Sequence, residues 1–179
     1  MIGIVRHFKV NFKTNRKWIT AKQFNDWVEQ YDHAEIDSSN YFTNIIMWDV
    51  CLTSDLLRAT KTAEIIFKGK TVVSDQLREI GIRAVINSKI KLHISLWMML
   101  GRIAWFFSHK SQAESKLQTL QRAKIILDKI EWNYPNAKVL VVSHGAFMKV
   151  LFKELKFRGY IGKLKMKPKN GELYTFERR

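Results

Sequence analysis

The stretch KVLVVSHGAFMKVLFKELK, residues 138–156, decides the fold. Its first part, residues 138–144, is a near-continuous apolar run without alternation. That pattern suits a central parallel strand buried on both faces. Gly145 then opens a helix, AFMKVLFKELK, so strand hands over to helix with no intervening loop.

The same alternation extends in both directions. Residues 2–5 read as a short buried strand at the start of the chain. Thr20 and Gln23 have capping-box spacing, and Phe24, Trp27, Val28 and Tyr31 make a helical apolar stripe behind them. WDVCLTS (residues 48–54) reads as a strand, followed by a helix from Asp55 to about Phe67 with Leu57, Ala63 and Ile66 facing inward. TVVSD (residues 71–75) is a further strand, with LREIGI close behind it. Residues 92–107 read as a helix broken near Gly101. Ser111 and Glu114 are placed to cap another helix, which Pro135 stops. The last segment, GKLKMKPKNGELYTFERR, reads as an edge hairpin turning at Asn170–Gly171. Strands alternating with helices imply an α/β domain: a three-layer α/β/α sandwich with a mainly parallel sheet and an antiparallel C-terminal strand at its edge.

Composition bounds the rest. At 179 residues the chain has the length of one domain with a substantial core, so residues 1–179 are read as a single unit, with residues 84–134 a helical insert and following helix. A hydrophobic share of 46% and a charged share of 26% exclude a disordered or fibrous class. The single Cys51 excludes a disulfide framework and a Cys-based zinc cluster, and it fits a reducing, cytoplasmic setting. The first strand begins at Ile2, so no leader is expected.

Residues 92–107 are the most apolar segment but are short for a membrane span and carry His93, Gly101 and Arg102. A buried or lid helix is preferred there, with Trp97, Met98, Met99 and Trp105 packing. Attachment to a membrane surface is the minority reading, resting on Trp97, Trp105 and Phe106 beside many cations. The net charge of +15 favours an anionic partner. The mild basic clusters at residues 13–17 and 163–169 read as solvated faces, which disfavours nucleic acid.

In parallel sheets ligands bind beyond the carboxyl ends of the strands. That edge collects Arg6 and His7, Ser54 with Arg58 one turn on, Glu79, and His144. Two His, two Arg and one Glu make a poor metal set, since hard cations want several oxygens and catalytic zinc wants three ligands. They suit phosphoryl transfer instead. Guanidinium forks match phosphate oxygens, the helix start at Gly145 offers free N–H groups, and a neutral imidazole can attack phosphorus while a carboxylic acid protonates the leaving oxygen.

VRH (residues 5–7), TSDLLRATKTAEII (53–66), LREIG (77–81) and VLVVSHGAFMKVL (139–151) together resemble the histidine phosphatase, or phosphoglycerate mutase-like, superfamily. The resemblance implies that His7 is the nucleophile of a phosphohistidine intermediate. Arg6, Arg58 and His144 would hold the phosphoryl oxygens, and Glu79 would be the proton donor. It implies a hydrolase needing no metal or organic cofactor, acting on a phosphorylated small molecule or phosphoprotein. The region 92–134 would be the helical cover of the site.

Two positions depart from the family pattern. Phe8 stands where a Gly follows the His, and Lys13 where an Asn often touches phosphate. Lys9, Asn11 and Lys13 are candidate substrate contacts in its place. With Phe8 packed away or narrowing the pocket, the chain is a phosphatase; a phosphomutase and a non-catalytic phospholigand-binding relative are the alternatives. A nucleic-acid or membrane-surface binder drawn by charge is a third class. His33, His93 and His109 are assigned to surface or lid positions.

Overall fold

A computed structural model describes residues 1–37 and 46–178. In chain order it contains β1 (Ile2–Arg6), β2 (Lys9–Val10), β3 (Trp18–Ile19), α1 (Ala21–His33) and β4 (Ile36–Asp37). Then come β5 (Val50–Ser54), α2 (Leu57–Ile66), β6 (Thr71–Ser74), a 3-10 turn (Asp75–Leu77), β7 (Leu92–His93), α3 (Ile94–Phe106) and α4 (Lys116–Asn133). β8 (Val139–Ser143), α5 (Gly145–Phe157), β9 (Tyr160–Gly162) and β10 (Leu173–Arg178) complete it.

The main sheet runs β6-β5-β8-β1-β10-β9. β6, β5, β8 and β1 are mutually parallel, and β10 runs antiparallel to both β1 and β9. The apolar strands at residues 2–5 and 138–144 therefore sit side by side at the sheet centre, as their lack of alternation requires. The period-2 pleat sorts them onto two cores. Ile2, Ile4, Leu52, Val139 and Val141 face α4 and α5, packing on Ile126, Leu127, Phe147 and Leu151. Val5, Cys51, Leu140 and Val142 face α2 and its Ala59 and Ala63. A third, smaller cluster joins α1 to α3 through Phe24, Ile82 and Trp97, whose Nε1 donates to the Ile19 carbonyl at 2.9 Å.

Four sequence expectations change. Helix α2 starts at Leu57, whose side chain is exposed rather than inward; Ala63 is buried and Ile66 packs on the core as expected, joined by buried Arg58, Ala59 and Thr62. Helix α3 passes unbroken through Gly101, because the missing side chain admits Ile82; a Cβ there would stand 3.2 Å from the Ile82 Cβ. Helix α4 is capped by Ser115 with Gln118, a complete capping box, rather than by Ser111 with Glu114. Glu114 is instead held by Arg122, with Nη2 at 2.8 Å from Oε1. The C-terminal hairpin has no two-residue turn: Gly162 pairs with Phe176, and residues 163–172 form a long connection. Within it Gly171 takes φ 72°, the left-handed conformation a glycine tolerates without strain. The outermost strand is β9, and β10 lies one place in.

Candidate active site

Strand register brings the two site histidines together. β1 and β8 are parallel with Ile2 opposite Val139 and Arg6 opposite Ser143, so His7 and His144 leave neighbouring strands at the same level. Both turn to the α2 face, with ring centroids 5.0 Å apart. Arg6 and Ser143 turn to the other face. There the Arg6 guanidinium lies against Gly145, where a Cβ would stand 3.1 Å from its Nε, so the glycine at the start of α5 makes room for the arginine.

Hydrogen bonding fixes what each ring nitrogen can do. His7 Nδ1 lies 2.6 Å from the Phe8 carbonyl. A carbonyl only accepts, so Nδ1 carries the proton and Nε2 keeps the lone pair of a nucleophile. Arg58 Nε donates to His144 Nδ1 at 3.2 Å, so in His144 the proton sits on Nε2. That Nε2 and the Arg6 Nε are both buried without a hydrogen-bond partner among the described residues. Buried N–H donors without acceptors are costly, and their place beside His7 suits an anionic ligand that supplies the acceptors.

Burial keeps both rings neutral. His7 is pushed well below the ordinary histidine range by desolvation first, then by His144 and Arg58. His144 is lowered likewise by desolvation, then by Arg58, Arg6 and Arg122.

Arg58 is almost fully buried and triply fixed. Beyond His144, its Nη1 forms an ion pair with Asp32 Oδ1 at 2.8 Å, and its guanidinium lies 5.3 Å from the centre of the Tyr31 ring. Glu79 sits at the start of α5: Oε1 accepts from the Ile80 and Phe147 N–H groups and Oε2 from that of Ala146. The carboxylate is thereby anchored at the positive end of the helix.

A cavity of about 920 Å³ opens over these groups. Arg6, His7, Arg58 and Glu79 line its floor, α1 contributes Trp27, Tyr31, Asp32 and His33, and the segment after β6 contributes Arg78, Met98, Arg102 and Arg122.

Five sequence-derived residues thus converge: Arg6, His7, Arg58, Glu79 and His144. Lys9, Asn11 and Lys13 do not join them, since none lines the cavity. The chain turns away after His7. Phe8 buries its ring in the protein and donates its N–H to Thr62 Oγ1 at 2.9 Å, after which β2 pairs with β4. Phe8 is a core residue and not part of the cavity wall. His33 lies in the wall despite its surface assignment, whereas His93 caps α3 and His109 binds Ser111.

Sequence reasoning missed Tyr31, Asp32 and Asn170. Asn170 Nδ2 donates to the His7 carbonyl at 2.7 Å, Gly171 N–H to the Arg6 carbonyl at 2.8 Å, and Arg6 Nη1 to the Pro168 carbonyl at 2.9 Å. The only sequence signal for this strap is the Asn-Gly pair. Tyr31 and Asp32 are the last turn of α1, where Tyr31 was assigned to packing.

A family model described as the histidine phosphatase superfamily (branch 1) matches residues 38–179. The chain belongs to that superfamily. The match begins after β1 and α1, so the Arg6-His7 pair lies outside it. Solved structures of similar fold match over a larger share of the chain. The product of an open reading frame of Mycobacterium tuberculosis superposes with TM-score 0.62 at 14% identity, over 98% of this chain and 94% of that one. A mycobacterial glucosyl-3-phosphoglycerate phosphatase gives TM-score 0.57 at 16% identity, over 86% and 78%. A mutant phosphoserine phosphatase of Entamoeba histolytica in complex with phosphoserine gives 0.54 at 14%, over 96% and 87%. No curated protein sequence matches significantly.

Proposed function

We propose that this histidine phosphatase family member hydrolyses phosphomonoesters through a phosphohistidine on His7. The observation that carries the reading is the pairing of a neutral His7, its Nε2 lone pair available, with two buried donors that have no partner among the described residues, Arg6 Nε and His144 Nε2. In the first step Nε2 attacks phosphorus and the bond to the leaving oxygen breaks. Glu79 gives that oxygen its proton. Arg6, Arg58 and His144 hold the three remaining oxygens, where charge is spread in the transition state. In the second step Glu79 takes a proton from water, the water oxygen attacks phosphorus, and the N–P bond returns its electrons to Nε2. The arginines supply the positive charge, so the reaction calls for no metal or organic cofactor.

A small phosphorylated metabolite fits the cavity volume and the substrates named for the neighbouring glucosyl-3-phosphoglycerate and phosphoserine phosphatases. Residues 1–179 act as one unit in this reading, with α3 flanking the cavity through Met98 and Arg102 while α4 packs on the sheet. The lone buried Cys51 suits a cytoplasmic setting. Phe8, packed in the core away from the cavity, leaves the five site groups unobstructed, which favours turnover over mere phospholigand binding.

The test is His7→Ala with an aryl phosphate. Turnover falls by at least about 10³-fold, and rapid acid-free quenching of the wild type traps an acid-labile, alkali-stable phosphoprotein that the variant lacks. Equal turnover in the two proteins refutes the nucleophile. Tight vanadate binding without turnover by the wild type supports the binding-module alternative instead.

A further inference from the structure

Helix α3 carries an apolar face that no part of the described chain covers. It reads ISLWMMLGRIAWF, with Ser95 and Arg102 its only polar side chains. A helix apolar all round belongs inside a protein or a membrane, yet only Trp97, Gly101 and Ala104 are buried here. Met99, Ile103 and Phe106, spaced to share one side, are 51%, 47% and 52% exposed, and Phe107 at the helix end is 75% exposed. Other large apolar side chains exposed on the helices are Leu57 on α2, Leu117, Ile125 and Trp132 on α4, and Phe157 at the end of α5.

The carboxylates near α3, such as Glu79 at 4.0 Å from Arg102, lie on its cavity side, and the stretches of chain that form and border the helix carry one sign of charge. Residues 80–113 contain five Lys or Arg and no Asp or Glu, and residues 8–25 likewise contain five and none. The two stretches meet where β3 pairs with β7, with Lys17 O accepting from Ile94 N–H at 2.9 Å. Trp18, 63% exposed, stands at that end of the helix against His93. At the other end Lys116 Nζ lies 4.0 Å from the centre of the Phe106 ring. An apolar stripe bordered by cations and ended by an exposed Trp is the composition of a helix lying in a lipid headgroup layer. No helix among the described residues is long and apolar enough to cross a membrane. A second copy of a chain with net charge +15 would be repelled by the same cations.

We infer that the outer face of α3, with Trp18 and the flanking lysines, docks on an anionic phospholipid bilayer. Trp97 and Trp105 are not the anchors, since Trp97 is buried and Trp105 Nε1 donates to Thr119. The inner edge of α3 carries the cavity residues Met98 and Arg102, so docking would set the cavity wall close to the lipid surface. The inference stands apart from the catalytic reading.

Sedimentation of the full chain with phosphatidylcholine vesicles, with and without phosphatidylserine, tests it. Binding is expected only to the phosphatidylserine vesicles and is lost as salt rises. Ile103→Glu/Phe106→Glu lowers partitioning by at least about tenfold, and Lys17→Gln or Lys110→Gln by about fivefold each. All these variants keep the wild-type melting transition, because the side chains are on the surface. Absent binding at low salt, equal binding to uncharged vesicles, or wild-type binding by the double Glu variant overturns the inference. So does a dimer that the double Glu variant dissociates.

Discussion

The two buried histidines make the stability of the folded chain depend on pH in a calculable way. His7 and His144 are neutral when folded, because burial and the nearby arginines depress both well below the ordinary value. In the unfolded chain each titrates near pH 6.5. The unfolded state therefore binds more protons below that value, and stability is complete above it and falls as pH drops. At about pH 5.5 each histidine costs roughly 1 kcal/mol, and the pair between about 2 and 3 kcal/mol. With a urea slope of about 2 kcal/mol/M, the midpoint falls by between about 1 and 1.5 M from about pH 7.5 to pH 5.5. The assay is urea unfolding at the two pH values for the wild type and for His7→Asn/His144→Asn. Most of the loss should vanish in the double variant. An equal midpoint shift in both proteins would refute the assignment of two neutral buried rings.

Three further outcomes follow from the site and its supports. Asp32→Ala leaves the buried Arg58 guanidinium without its carboxylate; it should cost about 2 kcal/mol in urea unfolding, discounted because Asp32 is partly exposed, and saturating inorganic phosphate should restore part of it. Glu79→Gln should slow an alkyl phosphate far more than a p-nitrophenyl phosphate, whose leaving group needs no proton; an equal loss on both would reduce Glu79 to an anchor for α5. Arg158→Ala strands the buried Glu154, its partner at 3.0 Å, beside Asp128 and Glu131, so urea unfolding should report about 3 kcal/mol lost with turnover per folded molecule unchanged.

What was legible in the sequence is what local chemistry writes there. Residues 2–5 and 138–144 lack polar alternation, so their central place could be read directly, and with it the edge where Arg6, His7 and His144 end. Arg58 and Glu79 follow strands closely enough to share that edge. The support of these groups is non-local and was not legible. Asp32 meets Arg58 across 26 positions and Asn170 meets His7 across 163, and no spacing rule connects them. Helix caps were ambiguous for a simpler reason: Ser111 and Ser115 both offer a hydroxyl, and Glu114 was drawn off by Arg122. The uniform apolarity of α3 showed a helix but no preferred face, so its exposed side became visible only once Trp97, Gly101 and Ala104 were seen to be the buried ones.

The strap from residues 168–171 has a consequence for how the site comes into being. The carbonyls of Arg6 and His7 are held by Gly171 and Asn170, and the Arg6 side chain by Pro168. The earliest strand of the fold thus waits on its last connection, and a loop of more than 160 residues must close before those groups are fixed. During synthesis the paired histidines can be in register as soon as β8 has emerged, while Arg6 still lacks its bond to Pro168. The phosphate clamp should therefore be the last part of the protein to mature, after the sheet that carries it.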